Sequence, residues 1–190
     1  LIRRSSLVPV GIVPTMGALH DGHISLVKEA IGRTPLIVVS IYVNPTQFND
    51  KNDFNGYPRT TEEDIEVLER VLRPDDILFL PSDEEIYPEP DTRKFDFGNL
   101  DKVMEGSRRP GHFNGVGQIV SKLFTYVGPD IAFFGQKDFQ QVAVVRNLVK
   151  QMGVDIEIVA CPTVREKDGL AMSSRNRLLE PSARNEAPVI

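Results

Sequence analysis

Val10-Gly11-Ile12-Val13-Pro14-Thr15-Met16-Gly17-Ala18-Leu19-His20-Asp21-Gly22-His23 contains the change of period that decides the fold. Val10 to Val13 is a short β-branched apolar run closed by Pro14, and it reads as a buried strand leaving a sheet. From Asp21, an N-cap candidate, Ile24, Val27, Ala30 and Ile31 recur at helical spacing. Between the two, Gly17 and Gly22 let the backbone approach a ligand, and the amides that open a helix suit an anion. His20 and His23 are three residues apart, so both can face one site and donate to phosphate oxygens. The chain has three histidines, and two of them share this turn. The plainer alternative is a turn with incidental histidines. No Gly-Lys-Ser/Thr triplet follows, so this is not a P-loop, nor is it GxGxxG.

The same alternation continues downstream. Leu36 to Val43 is apolar apart from Ser40 and ends at Asn44-Pro45, a second buried strand. Thr46 to Arg59 reads as a long polar loop. Thr60/Thr61 with Glu63/Asp64 reads as a capping-box start to a helix with Ile65, Leu68, Val71 and Leu72 inward. Ile77 to Leu80 is a third strand. Residues 82–111 look irregular, with a short strand at Phe95-Asp96-Phe97. Phe113, Val116, Val120, Leu123, Phe124 and Val127 form a helix stripe, Ile131 to Phe134 a strand, Val142, Val145, Leu148, Val149 and Met152 a further helix, and Val154 to Ala160 a last strand. Strands alternating with helices predict an α/β fold, a Rossmann-like parallel sheet with helices on both faces. Ligands then belong outside the carboxyl ends of the strands.

A length of 190 residues suits one domain, or one with an appendage, and 41% hydrophobic with 26% charged residues excludes disordered and fibrous classes. No apolar run reaches the roughly 20 residues of a membrane span. A net charge of −5 argues against broad nucleic-acid or membrane-surface binding. The single Cys161 excludes an internal disulfide and fits a reducing, cytoplasmic compartment. Leu1 stands where Met would, close to Arg3-Arg4, and Pro181 to Glu186 looks like a helix start. These ends give the expectation of one catalytic domain over 1–180, with 181–190 beginning a linker or helix toward a further domain.

Polar clusters fall just after the strands, as the switch-point rule demands. Asn44 and Gln47 offer neutral donors and acceptors suited to a hydroxyl- and carboxylate-bearing small molecule, although Asn-Pro is also an ordinary turn. Gly135-Gln136-Lys137-Asp138 places a lysine at a glycine-led strand end, a usual phosphate contact. A helix N-cap at Asp138 beside a solvated Lys137 is the competing reading. Gln141, one turn further on, points toward the same space as Gln47. Met172-Ser173-Ser174-Arg175 supplies hydroxyls and a guanidinium for a triphosphate, against a routine Ser-Ser surface turn.

His20-Asp21-Gly22-His23 resembles the HxGH form of the HIGH signature of the nucleotidylyl-transferase superfamily, and Met172 to Arg175 resembles a KMSKS loop lacking its first lysine. The fuller strings at 14–23, 43–48, 135–138 and 169–176 resemble the pantoate–β-alanine ligase family along nearly the whole chain. The resemblance covers that family's N-terminal Rossmann-like domain and implies a smaller C-terminal domain that closes over the site. It implies ATP-dependent condensation of pantoate with β-alanine through a pantoyl-adenylate, releasing pyrophosphate and AMP. ATP would contact Met16, Gly17, Ala18, Leu19, His20, Asp21, Gly22, His23, Gly135, Gln136, Lys137, Asp138, Val164, Met172, Ser173, Ser174 and Arg175. Catalysis would fall to His23, His20, Lys137 and Arg175, with His23 usually given the proton-donor role. Gln47, Gln141, Asn44 and Arg109 would bind the acid substrate, with Glu105 beside them.

Mg²⁺ would arrive on the phosphates with few protein ligands. Asp64 would be a helix-capping acid, or an outer contact to that ion. A homodimer is expected. Another enzyme of the superfamily that stops at the nucleotidyl adduct, and a nucleotide-binding module without catalysis, stay open as alternatives.

Overall fold

The computed structural model describes residues 8–189; the readings at Leu1 and Arg3-Arg4 lie outside them. Five strands, β1 (Val10–Thr15), β2 (Leu36–Ile41), β3 (Ile77–Phe79), β4 (Ile131–Gly135) and β5 (Glu157–Cys161), pair in parallel in the order β3-β2-β1-β4-β5. This is the order of the Rossmann half-sheet extended across its switch point. The expected α/β class and parallel sheet are therefore observed.

The strands are buried on both sides because helices cover both. Side chains alternate: Ile12, Val38, Ala132 and Phe134 face α6 (His112–Val127) and α7 (Phe139–Met152), meeting Val116, Val120, Leu123, Val145 and Leu148. Val13, Ile37, Val39 and Phe133 face the other way, against Leu26, Val27 and Ala30 of α1 (Asp21–Arg33) and Leu68 of α3 (Thr61–Glu69). Each Val, Leu, Ile or Phe buried to completion here contributes roughly 1.5–3 kcal/mol. The long helices α6 and α7 stop at Gly128 and Gly153, which take the left-handed conformation that ends a helix.

Several local expectations are corrected. β1 runs through Pro14 to Thr15, because its pairing with β4 is confined to Gly11 and Ile12 and the proline interrupts no bond on that side. The N-cap of α1 is His20 rather than Asp21: its Nδ1 accepts the Gly22 amide at 3.1 Å. The loop at 46–59 holds a 3₁₀ turn, Pro45–Gln47, and a short helix α2 (Lys51–Gly56) capped by Asp50. Phe95-Asp96-Phe97 is not a strand. Its alternating aromatics pack on α6, with Phe95 filling the space beside Gly117 and Phe97 buried in the core. The same stretch contains α4 (Asp83–Ile86) and α5 (Met104–Arg108). A final helix α8 (Pro181–Glu186) follows, and its Arg184 binds Glu166 and Asp168, both at 2.6 Å.

Candidate active site

Beyond Ile12 no pairing joins β1 to β4 among the described residues, and a cavity of about 230 Å³ lies there, outside the carboxyl ends of the central strands. Its wall includes Met16, His20, Gly22 and His23 after β1, Asn44 and Gln47 after β2, and Gly135, Lys137, Asp138 and Gln141 after β4. Met172, Ser173, Ser174 and Arg175 close it from the loop after β5, with Glu105 and Arg109 alongside. Imidazole, ammonium and guanidinium groups from separate loops thus share one space.

The turn after β1 is built by an acid from another helix. Asp64, 3% exposed on α3, accepts the amides of Ala18 at 2.8 Å and Leu19 at 2.7 Å, and Thr60 Oγ1 at 3.2 Å. It therefore does not cap its own helix, as expected from sequence; it clamps the turn that precedes α1. Gly17 suits this turn on two counts: its φ is +76°, and a Cβ would stand 2.9 Å from Asp64 Oδ2. Gly17, Ala18 and Leu19 do not line the cavity.

Most of the amides leading into α1 are engaged within the turn itself. The Gly17 amide donates to Thr15 Oγ1, those of Ala18 and Leu19 to Asp64, that of His20 to His23 Nδ1, and that of Gly22 to His20 Nδ1. What the turn offers is side chains. Both histidines accept a backbone amide at Nδ1, so in each neutral ring the hydrogen sits on Nε2. The rings lie 4.1 Å apart between centroids. Burial, the neighbouring His20 and the Lys137 charge hold His23 down at about 3, although one edge of the ring meets the cavity. Burial and Lys137 also lower His20. With both held below the ordinary imidazole value, each ring is an uncharged Nε2–H donor at neutral pH.

The side of the cavity after β2 is organised around buried Asn44. Its Nδ2 donates to Gln47 Oε1 at 3.2 Å and to Gly115 O at 3.1 Å, while its Oδ1 accepts from Thr46 Oγ1 and, at 2.7 Å, Tyr87 Oη. Asn44 thus spends its amide aiming Gln47, whose Nε2 reaches Met16 Sδ at 3.0 Å. Val116, Ile119, Val120 and Leu123 of α6 give the cavity that Gln47 and Gln141 also line an apolar floor.

The cations already have partners. Lys137 Nζ binds Asp138 at 2.8 Å, so Asp138 is an ion-pair partner; it stands at the N-cap position of α7 without a capping hydrogen bond. Arg175 forks onto Asp53 at 3.0 Å and lies over the Tyr57 ring at 5.1 Å. Ser174 Oγ donates to Ala18 O at 2.9 Å and Ser173 Oγ accepts the Arg175 amide, so these hydroxyls hold the loop in place. Asp21, Gln136 and Val164 do not line the cavity; the Val164 carbonyl instead accepts the Met172 amide at 3.0 Å.

Sequence reading passed over Asp53, Tyr42, Tyr57 and His112. His112 is buried in the wall, and burial lowers its pKa; its Nδ1–H donates to Gln47 O at 2.7 Å. Its place as the third histidine, just after the Glu105–Gly111 segment, was the available signal. Tyr57 and Asp53 gave none, lying in a stretch read as loop. Among the described residues, no three His, Cys, Asp or Glu side chains cluster as a metal site, and no helix is long and apolar enough to cross a membrane.

A family model described as Pantoate-beta-alanine ligase matches residues 2–190. A pantothenate synthetase of Phocaeicola vulgatus is 60% identical over 185 residues, covering 97% of this chain and 65% of that protein. The chain thus spans just under two thirds of that relative's length. A solved pantothenate synthetase from Thermus thermophilus superposes with a TM-score of 0.91 at 49% identity, over 95% of this chain and 65% of the other. A Francisella tularensis pantoate-beta-alanine ligase, complexed with Beta-gamma ATP and Beta-alanine, gives 0.93 at 40% identity, over 98% and 71%.

Proposed function

The chain belongs to the pantoate–β-alanine ligase family, and from that premise we propose that its cavity activates pantoate with ATP and passes the acyl group to β-alanine. One observation carries the reading: four cationic or N–H-donating side chains from three loops share one cavity with the Gln47 and Gln141 amides and an apolar floor from α6. That floor suits the dimethyl-bearing carbon of pantoate, and the Gln47 and Gln141 amides suit its hydroxyls and carboxylate.

In the first step a pantoate carboxylate oxygen attacks the α-phosphorus, the bond from α-phosphorus to the bridging oxygen breaks, and pyrophosphate leaves. In the second, the β-alanine amine attacks the acyl carbon, loses a proton, and AMP leaves with the bonding pair. The protein's part is positioning and charge stabilisation. Neutral His20 and His23 donate Nε2–H to phosphate oxygens as charge grows on them. Lys137 exchanges Asp138 for phosphate, and Arg175 presents the guanidinium edge that Asp53 leaves free. Mg²⁺ would ride on phosphate oxygens and water, a fit supported by the two carboxylates of the wall, Asp138 and Glu105, each being paired with a cation already. The proposal includes a cytoplasmic homodimer, and a further C-terminal domain that shields the adenylate from water.

The test is exchange of labelled pyrophosphate into ATP by the full-length protein, with and without pantoate, followed by β-alanine. Exchange that requires pantoate, and AMP release that requires β-alanine, is the expected result. Pantoate-independent exchange would reject the assignment in favour of a simple nucleotidylyltransferase, and binding without exchange would leave a non-catalytic module.

A further inference from the structure

We propose that Asp53 is the positioning residue that aims Arg175 at the triphosphate and tolerates a second guanidinium beside it, an inference that rests on the nucleotide-activating reading above. The Arg175 Nε and Nη2 atoms both bind Asp53 Oδ1, at 3.1 and 3.0 Å, and Nη2 also meets Oδ2 at 3.0 Å. This uses one edge of the planar fork and leaves Nη1 for a ligand. The aromatic faces of Tyr57 at 5.1 Å and Phe48 at 5.9 Å keep the guanidinium from turning over.

Asp53 Oδ2 also lies 3.7 Å from Arg109 Nη2, and Arg109 is itself held by Glu105 at 2.7 Å. Two guanidinium groups on one wall repel each other unless an anion separates them, and Asp53 is placed to be that anion. It stands on α2, a six-residue helix in a stretch that otherwise reads as loop, and it is this acid that Arg175 meets, while Glu166 and Asp168 of the loop after β5 pair with Arg184. Bidentate pairing fixes direction as well as charge, which an amide of the same shape cannot reproduce. The pair is part exposed, 41% for Arg175 and 32% for Asp53, so its loss should leave the fold standing.

The experiment is a double-mutant cycle on the full-length enzyme with Asp53→Asn, Arg175→Ala and both together, reading the KM for ATP in pantoate-dependent pyrophosphate exchange. Melting temperatures and the KM for pantoate are followed alongside. Asp53→Asn should raise the KM for ATP about tenfold and that for pantoate by clearly less, because Asp53 grips Arg175 at 3.0 Å and reaches Arg109 only at 3.7 Å. In the Arg175→Ala background the same change should cost less than about twofold, because its target is gone. Asp53→Glu, which keeps the charge, should recover part of the loss. Full additivity of the two changes, equal losses in Asp53→Asn and Asp53→Glu, or a loss explained by a fallen melting temperature would overturn the positioning role while leaving the activity intact. A wild-type enzyme without pantoate-dependent exchange would overturn both.

Discussion

Replacing Asp64 with Ala removes the clamp on the turn before α1. The carboxylate is 3% exposed and accepts two buried amides, those of Ala18 and Leu19. Alanine has no acceptor, and each stranded buried donor costs about 1–3 kcal/mol. The Thr60 hydroxyl loses its partner as well but reaches solvent more easily. The expected loss is about 3–5 kcal/mol, a large share of the roughly 5–15 kcal/mol that holds a domain together. Because His20 follows directly on the clamped turn, nucleotide affinity should fall with stability. Urea unfolding at constant m-value gives the first quantity and calorimetric titration with ATP the second. Asp64→Asn should be milder, since one acceptor oxygen survives. An alanine variant within about 1 kcal/mol of wild type, binding ATP equally well, would refute the clamp.

The remaining predictions follow the same geometry. Gly115→Ala should cost about 2 kcal/mol or more and weaken pantoate binding more than ATP binding, because its Cβ would stand 2.3 Å from the Thr46 carbonyl oxygen and 2.6 Å from Gln47 Cα, backbone that cannot yield; thermal melting and separate KM values check this. Asn44→Ala should free Gln47 and raise the KM for pantoate several-fold while leaving that for ATP near wild type. His23 is held at about 3 against an ordinary value of 6.5, so the unfolded chain takes up its proton first. Stability from this group is then fully present above about pH 6.5 and drains away as pH falls toward 3. Chemical denaturation across that window should show the slope, and His23→Gln should flatten it. Ser40→Ala should be neutral or slightly stabilising by the same assay, since the buried Ser40 hydroxyl has no hydrogen-bond partner among the described residues.

The sheet was legible because a parallel strand buried on both faces must be apolar throughout, and Val10–Val13, Leu36–Ile41 and Ile131–Phe134 are, Ser40 apart. The wall residues were legible wherever they follow such strands. Less legible was the division of labour among them. Asn44, Ser173, Ser174 and Asp64 carry the polar groups expected of ligand contacts or caps, yet spend them on the protein. Ser173 caps the Arg175 amide two residues on, but the partners of Asn44, Ser174 and Asp64 lie 45 to 156 residues away, where no local spacing encodes them. Pro14 and Phe95–Phe97 misled for a related reason: whether a residue pairs or packs is set by its neighbour in space, here β4 and Gly117.

The central claim is that two uncharged imidazoles present Nε2–H to the triphosphate. Nitrogen-15 NMR of histidine-labelled protein at pH 7 tests it most directly, with and without ATP. The account predicts neutral Nε2–H tautomers for His20 and His23 in the free protein, with both Nε2 signals shifting on addition of nucleotide and Nδ1 staying a backbone acceptor. Nδ1–H tautomers, or Nε2 signals indifferent to saturating ATP, would contradict it.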